Sequence, residues 1–495
     1  MKRACQPLRC SLFAALLLAG SAAAQVDINS SPNVVGSGAR ALGMGGAFIA
    51  IADDATSASW NPGGLTQLER PEFSLVLSHK WLGEDFSSGT HPELNGGRHV
   101  AFEDLNYASF VYPVRRTFAG RNMVLSLNYQ AKYDFDRDVD IRFYETQATA
   151  GGDILRRRTQ QDMTQRGGLS TISPAFGFEI TDRLSAGVVV NLWDQSLLPD
   201  NEWSIKRDYR TRTFINNNPL FAAYATGSVE EDYDNFSGTN YTFGLLYRAT
   251  ERLSIGAVYH TKFTANVDYT RVDRVAPILG GFQYARDKRH QEITFPSAIG
   301  LGIAYRFPND KLTLSLDITR REWDQFIIED PDAGVATLRT IRNFLGQGAG
   351  GIALAQSLID ARKNQRLSGV TGGPASDVNI DPTYTVRLGG EYVFVNDKKP
   401  KQDYLPSVRA GVYYDPEPSS GRRSGLFGLN KGDGDPDDYF GIAFGLGLLV
   451  KDRVNIDLAY TYRWGNGVRV DSFGLAETDA DVDQHLIYLS TVIYF

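Results

Sequence analysis

"VNIDLAYTYRW", residues Val454–Trp464, decides the architecture. Its even positions are apolar or aromatic, and its odd positions hold Asn455, Asp457, Ala459, Thr461 and Arg463. A period of two over that length is a β-strand with one greasy and one more polar face. The same alternation runs through Leu312–Thr319, Val408–Tyr414 and Phe440–Leu448. About fourteen such strands can be read, each roughly nine to thirteen residues long, which a tilted strand needs to cross a bilayer. They start near Phe73, Leu105, Met123, Ile172, Leu184, Tyr241, Leu253, Thr294, Leu312, Thr383, Ser407, Tyr439, Val454 and His485.

The connections give an independent test. Thr181–Arg183, Ala249–Arg252, Phe307–Asp310 and Lys451–Arg453 are tight turns, and between them lie the long segments 81–104, 134–170, 195–238, 264–290, 322–382, 415–438 and 465–483. Short turns on one side and long loops on the other are the mark of an outer-membrane barrel. An even strand count with this parity puts both ends in the periplasm. Trp81, Trp193, Trp323 and Trp464 fall at the outward ends of strands, where a ring with a wet N–H suits a membrane interface. Tyr488–Phe495 ends on an aromatic with alternate apolar residues before it, like the last strand of outer-membrane proteins. A soluble all-β sandwich suits so many strands with such one-sided loops poorly. The expected fold is all-β: a transmembrane antiparallel β-barrel of about fourteen strands, residues 71–495, with a plug ahead of it that contains short helices.

Lys2, Arg3 and Arg9, the apolar run Ser11–Ala19 and the triplet Ala22-Ala23-Ala24 read as a cleavable signal peptide, residues 1–24. Both cysteines, Cys5 and Cys10, lie within it, so disulfides and thiolate metal sites are not expected in the remainder. Without the signal, 48 Lys and Arg stand against 58 Asp and Glu, a net charge of −10. That balance argues against nucleic acid.

The faces assigned to the lumen are rich in small residues, including Gly177, Gly187, Gly244, Gly256, Gly389, Gly411 and Gly445. Water, a ligand or a plug must occupy the room they leave, and residues 25–70 are long enough to fold inside. Inward cations, among them Lys132, Lys262, Arg387, Arg409 and Arg463, pair with inward acids such as Glu179, Asp317, Glu391 and Asp457, or hold an anionic head group.

The stretch "GARALGMGGAFIAIADDATSASWNPGGL", Gly38–Leu65, resembles the N-terminal hatch of the FadL/TodX-type outer-membrane transporters of hydrophobic compounds. Ala50–Ala55 is similar to that family's hatch core, Asn61-Pro62-Gly63 to its Asn-Pro-Ala motif with Gly in the third place, and Pro71-Glu72-Phe73 to its entry into the first strand. Phe295–Ser297 with Trp323–Phe326, Thr383–Tyr392 and Val408–Pro416 continue the likeness along the barrel. The resemblance implies a hatched fourteen-stranded barrel, an external apolar groove on the third and fourth loops, a lumen site, and lateral exit at a kink in the third strand. Groove candidates are Trp203, Phe214, Leu220, Phe221 and Tyr224 in one loop and Ile278, Leu279 and Phe282 in the other; they line a groove or pack loop on loop. Lys262, Arg387 and Arg409 are candidates for a ligand head group. No Gly or Pro within 121–133 marks the kink. Leu338–Asn364 has helical patterning that suits a lid over the long fifth segment.

Within the hatch, Gly43, Gly45 and Gly46 suit close backbone approach. Asp53 or Asp54 suits an N-cap for a helix over 55–60, and Asn61 with Pro62 a turn or helix start. The stretch is no dinucleotide fingerprint, because no βαβ unit surrounds it. His260 and His485 stand without a G-x-S-x-G or triad pattern, which points away from an enzyme. The acidic runs Asp433–Asp438 and Glu477–Asp483 lack full calcium-loop spacing and read as solvated charge. No metal or cofactor is expected. The leading function is passive uptake of long-chain fatty acids or other hydrophobic molecules by a monomer. It would contact outer-membrane lipid, lipopolysaccharide and the barrel-assembly machinery. The alternative is a hatched barrel that serves as an attachment or assembly partner of other proteins, with no small ligand.

Overall fold

The computed structural model describes residues 36–89, 91–114, 120–148, 152–216, 218–277, 283–308, 310–329, 366–370, 374–376, 380–396, 402–418, 436–469 and 478–495. Its strands are β1 (Glu72–Ser88), β2 (Gly96–Pro113), β3 (Met123–Asp134), β4 (Arg137–Ala148), β5 (Ile154–Thr181), β6 (Leu184–Asp194) and β7 (Glu202–Ile215). There follow β8 (Asn218–Arg248), β9 (Leu253–His260), β10 (Phe263–Pro277), β11 (Gln283–Phe295), β12 (Ala298–Arg306), β13 (Leu312–Arg321) and β14 (Ile327–Glu329). The last are β15 (Arg366–Ser368), β16 (Thr383–Val393), β17 (Tyr404–Tyr414), β18 (Phe440–Val450), β19 (Val454–Arg469) and β20 (Thr478–Tyr494).

Fourteen of these close a ring in the order β1, β2, β3, β5, β6, β8, β9, β12, β13, β16, β17, β18, β19 and β20, which pairs back with β1. Every neighbouring pair is antiparallel. The alternation in the opening stretch is realised directly. Ile456, Leu458 and Tyr460 are exposed on the outer face, whereas Asp457, Ala459, Thr461 and Arg463 are buried inside. Leu125, Leu127, Leu245, Leu301, Phe444 and Leu446 continue the outer apolar band. In the three-residue β18–β19 connection Lys451 and Asp452 are both left-handed, with φ of 49° and 58°, and Arg453 N donates to the Val450 carbonyl at 3.0 Å, a turn whose hand matches strand twist.

The long segments differ from the loop expectation. Residues 137–148, 154–169, 202–215, 218–237, 263–277 and 283–295 are strand, and they carry the wall on above the ring as one sheet: β4, β5, β7, β8, β10, β11, β14 and β15. An apolar period of two is present there, as in Val139, Ile141 and Phe143. Inward ion pairs such as Arg137–Glu84 interrupt it, so the pattern looks like loop. The proposed helical lid over 338–364 lies outside the described residues, as do the signal-peptide residues.

Residues 36–70 run against the inner wall. They form a short helix, Ala39–Gly43, a second, Ser57–Trp60, and a 3-10 turn, Pro62–Gln67. The inward glycines are where this segment's backbone rests. A Cβ on Gly389 or Gly411 would overlap the Met44 backbone, one on Gly187 the Pro62 carbonyl, and one on Gly256 the Ile49 carbonyl. Gly43 meets Gly445 face to face, with a Cβ on Gly43 only 2.9 Å from the Gly445 Cα. Gly45 and Gly46 have φ of 67° and 77° and turn the chain after the first helix.

Gly411→Ala should therefore cost about 1–3 kcal/mol by overpacking backbone on backbone. Gly390→Ala, where the new methyl would meet mainly the flexible Leu314 side chain, should cost less. Denaturant midpoints of the two purified variants measure the difference.

Candidate functional site: the lumen above the N-terminal segment

A dense polar network anchors the floor. The Asn61 side chain is fully buried and donates to the carbonyls of Ile49 (2.8 Å) and Leu245 (2.9 Å), while its Oδ1 accepts from Gly63 N (3.0 Å). Asn61 thus ties two parts of the N-terminal segment to β8, and it caps the 3-10 turn that Pro62 begins. Asp317 on β13 accepts from Phe48 N (2.6 Å) and Ile49 N (2.8 Å). Arg40 binds Asp53 (2.6 Å), Asp54 (3.5 Å) and Glu391 (2.8 Å). Glu391 and Asp457 in turn each lie 2.7 Å from Arg409.

The N-cap expectation needs correction. The second helix is Ser57–Trp60 and the residue ahead of it is Thr56, with no side-chain cap. Asp54 accepts from Thr56 N and Oγ1 at 2.8 and 2.6 Å, closing an Asx-type turn before the helix. Asp53 is taken by Arg40, whose central role the pattern of the hatch alone did not reveal.

Above this floor lies a cavity of about 240 Å³. Gly45, Gly46, Ile49 and Trp60 form its base, and Tyr133, Trp193, Phe263 and Phe295 its roof. Trp193 stacks on Phe263 at 5.2 Å and Phe263 on Phe295 at 5.0 Å, with interplanar angles of 17° and 10°. Trp193 Nε1 donates to Asn240 Oδ1 at 2.8 Å. Trp193 and Trp323 are therefore not interface residues: they are 4% and 2% exposed and sit in the internal aromatic core, while Trp81 is 40% exposed on the outer face. The parity that places Gly187 inside also places Trp193 inside.

The other candidates scatter. Trp203 joins the same internal cluster, stacked on Tyr233 at 4.3 Å. Phe214 and Tyr224 flank the Arg212 guanidinium at 4.6 and 4.9 Å. Phe214 lies some 35 Å further along β7 than Trp203, at ~3.3 Å per residue, and shares no site with it. The backbones of Leu220 and Phe221 lie in β8, but their side chains are outside the described residues, as are Ile278, Leu279 and Phe282. Arg387 lines the cavity, 3.5 Å from Asp415. Arg409 lies in the buried network that holds Arg40, and Lys262 is exposed at the end of β9; neither lines the cavity. Reading inward phase alone did not separate a cation with acids beside it from one without. In the acidic runs, Asp438 accepts from Tyr414 Oη (2.7 Å) and Asp481 from Gly467 N (2.8 Å). Higher in the extension Glu231 is held by Arg207, by Arg271 (3.6 Å) and by Tyr269 Oη (2.6 Å). Burial would raise its carboxyl, but the two guanidinium groups outweigh burial and hold it below the usual range.

One side of the wall is interrupted. The β2–β3 ladder covers only Tyr107↔Gln130 to Pro113↔Val124. Above it, β2 pairs only with β1, and Ala131–Asp134 of β3 pair only with β5. Each strand has an irregularity at this point: Asn106 is skipped opposite Val76 and Leu77, and Lys132 is skipped opposite Ser170 and Leu169. The extra residue flips side-chain parity, so Lys132 and Tyr133 are both buried inside. This is the departure in the third strand that no Gly or Pro announces.

A closed, even-stranded barrel with an apolar outer band and a cavity within defines a bacterial outer-membrane β-barrel protein. The chain belongs to the family described as outer membrane protein transport protein (OMPP1/FadL/TodX), whose model matches residues 15–488. Among solved structures it is similar to a Pseudomonas aeruginosa FadL homologue, at 14% identity and a TM-score of 0.54, covering 94% of this chain and 100% of that one. It is also similar to the Pseudomonas putida toluene transporter TodX, at 12% identity and a TM-score of 0.51, covering 94% and 99%. At these identities the likeness concerns the fold. A comparison with curated proteins returned no match.

Glu391→Ala should strand the Arg40 and Arg409 guanidinium groups beside fewer carboxylates. A loss of about 3–5 kcal/mol is expected for breaking a buried pair in this way, read as a lower denaturant midpoint. An unchanged midpoint would show the network contributes nothing to stability.

Proposed function

We propose that the protein is a passive outer-membrane uptake channel for hydrophobic small molecules, with long-chain fatty acids and hydrocarbons the classes suggested by its sequence. Residues 25–70 act as a fixed hatch, residues 1–24 as a cleaved signal, both ends face the periplasm, and the monomer is the working unit. The observation that carries this reading is the adjacency of three things: a filled lower lumen, an aromatic-roofed cavity above it, and the break between β2 and β3 beside Lys132. An apolar molecule in the cavity finds the way down blocked by backbone packed on backbone. The break, where β2 and β3 do not pair, offers an apolar solute a route towards the lipid that leaves the paired ring below it intact. No energy-coupling element is needed, because partition into lipid supplies the drive.

A cross-link tests this directly. Thr66 Oγ1 and Ser185 Oγ are 2.8 Å apart, on the hatch and on β6. Both native cysteines lie in the signal segment, so Thr66→Cys with Ser185→Cys can be oxidised without competition once the signal is removed. The oxidised protein should take up labelled oleate and labelled toluene at the rate of the reduced form in cells lacking their own transporter. Uptake that stops on oxidation and returns on reduction would mean the hatch must move.

A further inference from the structure

One patch of the outer surface gathers cations without the acids that accompany most of the others. The sheet above the ring presents alternate residues of β4, β5 and β7 outward, while Ile141, Met163 and Ile205 between them are buried inside. On the inner face of these strands Arg157 meets Glu145 at 3.5 Å and Arg207 meets Glu231. Low on the outer face, Arg166 meets Asp138 at 2.6 Å and Lys206 meets Asp208 at 3.0 Å. Higher on the same face the sign changes. Tyr144, Arg158, Arg212 and Tyr224 stand in one row across β4, β5, β7 and β8, and Arg142, Gln160 and Arg210 stand in the row below. The four arginines are exposed. Arg158 and Arg212 are direct cross-strand neighbours, a placement in which like charges repel. Arg142, Arg158 and Arg212 have no carboxylate partner among the described residues; aromatic rings stand beside two of them instead, Tyr144 at 5.5 Å from Arg158, and Phe214 and Tyr224 at 4.6 and 4.9 Å from Arg212. The acid that follows on this face, Asp162, stands one row lower still, between Asp140 and Asp208.

Position decides what such a patch can meet. Strand side chains stand perpendicular to their sheet, so these guanidinium groups point sideways from the wall, along the plane of the membrane. Ile172 is the last apolar residue on the outer face of β5 before a polar stretch. Arg158 lies about 46 Å beyond it along the strand at ~3.3 Å per residue, which at a tilt of about 45° is about 33 Å higher. The head-group layer of a bilayer is only about 5–8 Å thick, so lipid head groups are out of reach. What stands beside an outer-membrane barrel at that height is the sugar chain of neighbouring lipopolysaccharide. A guanidinium binds carboxylate or phosphate through paired N–H donors, whereas a neutral sugar would leave the repulsion within the patch uncompensated. Strand and row spacings spread the four cations over about 10 by 7 Å, which suits a chain with several charges better than one small anion.

We propose that this patch is a docking surface for the acidic sugars of lipopolysaccharide in the protein's own membrane. Arg142, Arg158, Arg210 and Arg212 hold the carboxylate or phosphate groups, and the exposed Tyr144 and Tyr224 rings flank the chain. The contact fastens the tall part of the wall to the carbohydrate layer around it and is separate from the lumen.

Fluorescence anisotropy on the purified barrel tests the assignment with labelled decagalacturonate, its uncharged methyl ester, and a single-stranded DNA decamer. The acid should bind about tenfold or more tightly than the ester, as charge-assisted pairs imply, and weaken as salt is raised. Arg158→Gln combined with Arg212→Gln should remove most of that preference, and a heat-dependent gel shift verifies that the double variant folds. Arg252→Gln, in the β8–β9 turn at the other end of the barrel, should leave the preference unchanged. Equal affinity of the wild type for acid and ester, or an undiminished preference in the double variant, would overturn the docking surface. Tighter binding of the DNA decamer than of decagalacturonate would make the patch a nucleic-acid surface and overturn the assignment to sugar. Lipopolysaccharide that co-purifies with the wild type from a host with acidic outer sugars should fall at least about threefold in the double variant; equal amounts would overturn the assignment to the protein's own membrane.

Discussion

Backbone lies on backbone inside this barrel, and everything else in the lumen follows from that. Met44, Ile49 and Pro62 press their peptide groups against Gly389, Gly411, Gly256 and Gly187. Any side chain on those wall positions would hold the N-terminal segment away and leave a water-filled gap. With glycine there, backbone meets backbone at these positions as closely as in a protein interior. The segment is held to the wall by dispersion contacts and by buried hydrogen bonds, among them the three made by Asn61. On the uptake role proposed above, a molecule in the cavity either waits for the segment to leave or moves sideways.

The polar interior is divided into two populations with different tasks. Beneath the cavity, carboxylates and guanidinium groups satisfy one another in chains, from Asp53 through Arg40, Glu391 and Arg409 to Asp457. Such a chain adds little net stability over an apolar core of the same shape, but it penalises every misplacement of the segment. Around the cavity Arg387 and Arg463 share Asp415, whereas Lys132 and Arg321 have no carboxylate partner among the described residues. The contrast between matched and unmatched charge separates scaffold from site.

Much of the barrel was legible from the chain alone. Strict alternation, as in Val454–Trp464, identified the ring strands. The inward glycines announced that something must fill the lumen. Other features depend on partners far away in sequence. Arg40 meets Glu391 across 351 positions, and no local pattern distinguishes that arginine from a solvated one. The strands above the ring were hidden because their inward faces mix apolar residues with ion pairs, so the hydrophobic period breaks while the ladder continues. Trp193 was misplaced because a preference for the interface was set above the parity of its own strand. The irregularity at Lys132 left no mark because a bulge of this kind requires no special backbone angle and hence no glycine or proline.

On the uptake role proposed above, the break in the wall beside β3 is the exit. Deleting Lys132 removes the one residue that puts the β3–β5 ladder out of register and returns the residues beyond it to the parity of those below. Uptake of labelled toluene, which carries no charge for Lys132 to hold, should then fall to the background of cells without the protein, while the heat-dependent gel shift shows an intact barrel. Toluene uptake at the wild-type rate by a folded Lys132-deleted protein would contradict the account.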